Sequence, residues 1–175
     1  TTTSVNAGQV LAELGMAETD QPANCVPGTV TLPPGTPNPE ALPVGPAAKA
    51  CWAGGTAHIY VNLNEREEAG SVGEDDFEAT REAIVAAFSD LTDPENPDAT
   101  VVANVFLKEA LRDVGGADAL HPSRTGDVVV TLNPPYTFDG PTAGSLFGPP
   151  SAAASDGFSR DAAGGRLSFS GPRIA

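Results

Sequence analysis

Apolar and polar residues alternate through Ala-His-Ile-Tyr-Val-Asn-Leu at residues 57–63. The period of two predicts a strand with Ile59, Val61 and Leu63 on one face and His58, Tyr60 and Asn62 on the other. A different period governs residues 74–91, where Phe77, Ile84, Val85, Phe88 and Leu91 recur at helical spacing. Ser71-Val-Gly-Glu74 has the capping-box spacing, and acids crowd the first turn, where the helix dipole favours them. Asp93-Pro-Glu-Asn-Pro-Asp98 ends this helix. Residues 5–15 predict a shorter one, with Val10, Leu11 and Leu14 sharing a face and Gly15 closing it. A second strand is expected near 100–106 and a helical segment near 107–113. Asp127-Val-Val-Val-Thr-Leu132 reads as a strand covered on both faces, and a last short strand fits 166–170. The order β-α-β-α-β predicts an α/β fold, a small mixed sheet with two to three flanking helices and long Pro/Gly-rich loops.

Composition sharpens this picture. The 175 residues suit one domain, 1–175, and 40% apolar content can supply its core. Eight prolines between Pro22 and Pro46 forbid helix or central strand there, which predicts an ordered 22–50 loop. Residues 133–165 are expected to be an irregular loop segment. The formal net charge of −14 argues against nucleic acid or anionic lipid as a partner, because both reward clustered positive charge. No apolar run reaches the ~18–20 residues of a membrane span. Thr1-Thr2-Thr3-Ser4 shows neither the basic nor the apolar region of a signal peptide, so the reading is of a chain whose leader was removed or which was cut from something longer.

Cys25 and Cys51 bracket the Pro-rich stretch and fit no metal-binding spacing, so a disulfide Cys25–Cys51 is expected, with Trp52 packed over it. Closing such a loop is worth roughly 3–4 kcal/mol in the chain-entropy description. It also implies a secreted or cell-surface protein.

Candidate chemistry is sparse. The chain has no G-x-S-x-G, H-E-x-x-H, Walker loop or G-x-G-x-x-G. Two histidines, His58 and His121, cannot build a His-rich metal centre, which leaves one His with carboxylates as the open metal reading. Asp93, Glu95 and Asp98 admit a calcium-site reading, but their spacing departs from the calcium-loop pattern, and a solvated helix face with a capping turn explains them more simply. Glu74-Asp75-Asp76 could pair as carboxylates, yet they serve the helix dipole in the first turn. His58 reads either as a ligand or base at a strand end or as a hydrogen-bonded structural histidine. His121 lies in His-Pro-Ser-Arg-Thr-Gly-Asp, where Arg124 and Asp127 are expected to pair and clamp the loop. Tyr136 and Phe138 are expected to anchor a loop.

Three segments in order carry a resemblance: Ser4-Val-Asn-Ala-Gly-Gln-Val-Leu-Ala-Glu-Leu-Gly15, Trp52-Ala-Gly-Gly-Thr-Ala-His-Ile-Tyr-Val-Asn-Leu63 and His121-Pro-Ser-Arg-Thr-Gly-Asp-Val-Val-Val130. With the Pro134-Pro135-Tyr136 turn, Phe138-Asp139-Gly140 and the closing Ser168-Phe-Ser-Gly-Pro-Arg-Ile174, they resemble the later half of type I phosphodiesterase/nucleotide pyrophosphatase proteins of the alkaline phosphatase superfamily. The resemblance implies phosphoester chemistry with two zinc ions held by Asp and His and a Thr or Ser nucleophile. It places the nucleophile and the Asp-His-Gly metal strand before Thr1. Where the family's last His-Gly pair is expected, near 147–152, this chain has Phe-Gly-Pro-Pro-Ser-Ala. No catalytic, cofactor-binding or metal residue is therefore carried over, and zinc belongs to the parent family alone. The implied role is the cap or substrate-side portion of a secreted metal-dependent phosphodiesterase or phosphatase, meeting a phosphoester small molecule through the parent enzyme. The alternatives are a stand-alone exported binding domain on a degenerate phosphatase-like scaffold and an unrelated acidic surface protein whose loops bind calcium.

Overall fold

A computed structural model describes residues 2–28, 30, 45–66, 70–113, 125–140, 144–150, 159–160 and 167–168. Strands β1 (Thr3–Val5), β2 (Ala48–Ala53), β3 (Thr56–Val61), β4 (Val102–Leu107), β5 (Val128–Leu132), β6 (Tyr136–Phe138), β7 (Phe147–Gly148), β8 (Ser159–Arg160) and β9 (Leu167–Ser168) combine with helices α1 (Ala7–Glu13) and α2 (Glu74–Ser89) and a 3₁₀ turn at Lys108–Asp113. The main sheet runs β2-β3-β5-β4 and is antiparallel throughout. A second sheet, β6-β1-β7, pairs β1 parallel to β6 and antiparallel to β7, so the fold is mixed α/β. β8 and β9 form a separate antiparallel pair.

Strand alternation builds the core. Ala57, Ile59 and Val61 of β3 point one way, joined by Ala48 and Ala50 of β2 and by Val128 and Val130 of β5, all at most 2% exposed. Ile84 and Phe88 of α2 and Val10 and Leu11 of α1 join the same cluster. Phe138 adds an edge-to-face contact with Phe88, centroids 6.3 Å apart. β5 is buried at Val128, Val129, Val130 and Leu132, as its unbroken apolar run predicts. Trp52 is partly buried against this core beside Ala57, and alternation sends it to the face opposite Cys51 rather than over the bridge.

The β2–β3 hairpin closes with a two-residue loop in which Gly54 adopts φ +57, a value L side chains rarely take. Helix α1 is capped by Asn6, whose Oδ1 accepts from Gln9 N–H (3.1 Å), and Gly15 follows at φ +74. Helix α2 departs from the capping-box expectation. Gly73 occupies its N-cap without a side-chain bond, while Ser71 Oγ donates to Pro46 O (3.0 Å). The three acids Glu74, Asp75 and Asp76 then face the helix dipole unaided.

Polar side chains finish the margins of the main sheet. The free edge of β2 is covered at two alternate residues by carboxamides. Gln21 Nε2 donates to Ala50 O (3.0 Å) and its Oε1 accepts from Ala50 N–H (2.5 Å). Asn24 does the same at Trp52, donating to the carbonyl (2.7 Å) and accepting from the amide (2.8 Å). Each amide imitates one residue of a neighbouring strand and satisfies groups that an open edge would offer to another chain. The disulfide Cys25–Cys51 fastens the same segment, and Cys25 itself sits at φ +64 with its N–H on Ala50 O (3.1 Å).

β3 outruns β5 at the other margin, and Asp127 fills in. Its Oδ2 accepts from Val61 N–H (2.8 Å), and Arg66 grips both carboxylate oxygens at 2.8 and 2.7 Å while also donating to Val61 O. The expected partner Arg124 lies outside the described residues, as does His121; among the described residues, Arg66 and Val61 hold the Asp127 carboxylate.

Candidate functional site

The face of the β2–β3 hairpin turned away from the core carries Lys49, Cys51, Thr56, His58 and Tyr60, brought together by register. Lys49 lies opposite Tyr60, and Cys51 opposite His58. Two recesses adjoin along it. One, of about 100 Å³, is lined by Pro27, Pro46, Lys49, Tyr60 and Asn62. The other, shallower and of about 250 Å³, runs past Cys51, Trp52, Thr56 and His58 and shares Tyr60 with the first.

The chemistry of this face follows from its neighbours. His58 is half-buried, and its Nδ1 accepts the N–H of Gly126 (3.2 Å), which is the structural role of the two readings open from sequence. Burial holds its pKa below 6.5, so it is a neutral imidazole at physiological pH. Burial, with the Asp127 charge behind it, raises the Tyr60 phenol above 10.0 and keeps it protonated. Lys49 is the cation of the first recess, and Asn62 lies beside it with its amide donating to Pro46 O (3.0 Å).

A larger recess, of about 790 Å³, opens between the β1–β7 margin and the turn after α2. Glu13, Asp93 and Glu95 line it, with no cation among its lining residues, which makes it hostile to anions. Asp93 is not the solvated capping acid the sequence suggests. It is 5% exposed, takes the Tyr136 hydroxyl on Oδ2 (2.9 Å) and the Glu95 N–H on Oδ1 (2.9 Å). Burial and this bond raise the Tyr136 pKa. Tyr136 and Phe138 anchor their segment as expected, but within a strand, and with β7 at Phe147–Gly148 and β8 at Ser159–Arg160 the described residues of the 133–165 stretch include three short strands.

Zinc, implied by the family resemblance, requires three or four converging His, Cys, Asp or Glu donors. Among the described residues no three such side chains converge. Cys25 and Cys51 are joined to each other, and Asp93 and Asp127 already spend their oxygens on hydrogen bonds. The described residues therefore do not fit a zinc centre. Asp93, Glu95 and Asp98 likewise form no cation-binding group.

Sequence reasoning missed Lys49 as a site residue, along with Arg66, Gln21 and Asn24. Lys49 carried one usable signal, its polar position within the alternating Ala-Lys-Ala-Cys run of β2. Comparison with known proteins returns no matching family model, no matching curated protein and no matching solved structure.

Proposed function

We propose that this chain is an exported, disulfide-stapled element that binds a phosphoester without cleaving it, acting as the substrate-side portion of a metal-dependent phosphodiesterase or phosphatase. The observation that carries this reading is the Lys49–Tyr60–Asn62 recess. In a chain of net charge −14 it offers an anion a lysine ammonium and a phenol side by side, whereas the recess beside α2 offers carboxylates. The disulfide supports export, since such bonds persist in oxidising compartments.

The test exposes the purified chain to nitrophenyl phosphate mono- and diesters, with and without added zinc. No turnover is expected in either condition. NMR shift changes should centre on Lys49 and Tyr60, and Lys49→Glu should weaken binding by about tenfold, the equivalent of roughly 1.4 kcal/mol. Zinc-dependent turnover would overturn the reading, and so would binding indifferent to Lys49→Glu.

A second reading, a stand-alone binding domain on a degenerate scaffold, is favoured by β7. Where the resemblance calls for a metal-binding His-Gly pair, Phe147 and Gly148 instead pair with Val5 and Ser4 as a strand. Ligand-dependent thermal stabilisation without metal, by a compound bearing no phosphate, would select this reading over the first.

A further inference from the structure

The corner Thr125-Gly126-Asp127 is pressed onto β3. Thr125 and Asp127 are 3% and 2% exposed, and a Cβ on Gly126 would lie 2.7 Å from Ile59 N and 2.8 Å from Ile59 O. The corner is fastened to β3 at two points, by Val61 N–H on Asp127 Oδ2 (2.8 Å) and by Gly126 N–H on His58 Nδ1 (3.2 Å). A backbone amide can only donate. The second bond therefore exists only while Nδ1 carries a lone pair, with the ring proton on Nε2.

We propose that His58 is an acid-sensitive latch on this corner: protonation of Nδ1 sets donor against donor and releases Gly126 from β3. The groups around the ring favour a latch that is closed at neutral pH. On β2 the disulfide of Cys51 lies opposite it, and Lys49 stands one alternate position along, where its charge opposes an imidazolium. On β3 the flanking groups of the same face are Thr56 and the protonated Tyr60, and on β5 its register partner is apolar Val129. The carboxylate of the corner, Asp127, is held by Arg66 and Val61. Burial adds to the same preference for the neutral ring.

Because the folded pKa lies below 6.5, the unfolded chain binds the proton more readily. The latch's contribution to stability is complete above that value and is lost as pH falls through the folded pKa. Release would also place a cation in the recess beside Cys51, Thr56 and Tyr60.

The experiment follows the imidazole nitrogens of His58 by NMR and the exchange protection of the Gly126 amide, corrected for intrinsic rate, from about pH 7.5 to about pH 4.5. His58→Asn is measured in parallel, since its Oδ1 can accept the same bond without titrating. The wild-type ring should be the Nε2–H tautomer at the upper pH, and Gly126 protection should fall about tenfold as the ring titrates. The Asn variant should keep its protection throughout and lose the wild-type slope of melting temperature over that range. An Nδ1–H tautomer at neutral pH, unchanged protection through the titration, or the same step in the Asn variant would each overturn the proposal. If the variant does not fold, the wild-type tautomer and amide data decide it alone.

Discussion

Asp127 shows how one buried carboxylate can stand in for a missing strand. It replaces β5 at Val61 and neutralises Arg66, which is 36% exposed against 2% for the acid. Asp127→Asn keeps the shape but removes the charge and gives the side chain an N–H that faces other donors. Breaking a buried pair from one side usually costs 3–5 kcal/mol, and the exposure of Arg66 brings the expected loss to about 2–3 kcal/mol, measurable by chemical denaturation. A change within about 0.5 kcal/mol, the range of an ordinary surface substitution, would show that the carboxylate is dispensable at this margin. The sequence suggested that Asp127 would pair with Arg124, which lies outside the described residues. Arg66, the partner among the described residues, stands 61 residues earlier, and only the adjacency of β3 and β5 brings it close. His58 was more legible, because its place on the polar side of an alternating strand already pointed to a satisfied imidazole. Lys49 was not, since a lone lysine gains meaning only when Tyr60 is set opposite it.

At the scale of elements, legibility tracked length and period. α2, β3 and β5 are long enough for their patterns to declare them, and the structure places each within a few residues of its expected bounds. β6 and β7, three and two residues among prolines and glycines, have no period to read and exist because β1 lies between them. The second helical segment proved to be a 3₁₀ turn. Hidden most deeply was the β2 edge, because carboxamides that imitate a strand have no local signature. The two clamps differ in burial, which gives a test. Gln21 is 9% exposed and serves Ala50, which is fully buried, whereas Asn24 is exposed. Gln21→Ala should cost about 1–3 kcal/mol, or roughly 2–12 °C in Tm, because it strands a buried amide. Asn24→Ala should cost less than about 1 kcal/mol, since water can replace the lost bonds. Thermal melts that reversed this order would mean that the edge is not protected from within by these amides.

For the whole molecule, the question is how a chain with so many prolines and so large a negative charge holds together. Its core joins Val5, Tyr136 and Phe138 of the second sheet to one face of the main sheet, under α1 and α2, and residues 21–25 reach the main sheet through Gln21, Asn24 and the disulfide acting on consecutive positions of β2. The bridge closes a separation of 26 residues, for which the chain-entropy description gives roughly 3–4 kcal/mol. Against that stands the left-handed backbone of Cys25 at φ +64, which costs about 1–2 kcal/mol and can relax once the bridge is cut. The Cys25→Ser/Cys51→Ser double variant should therefore still fold, with a loss of about 1–3 kcal/mol, or roughly 2–12 °C in Tm. Because the bridge and the carboxamides hold the same strand, their effects should not add. With the bridge gone, residues 21–25 lose their tether, and Gln21→Ala should cost less than it does in the bridged protein. Melting the four proteins of that cycle measures the coupling. Strict additivity would mean that the disulfide stabilises the loop independently of the edge, and that β2 is held by its amides alone.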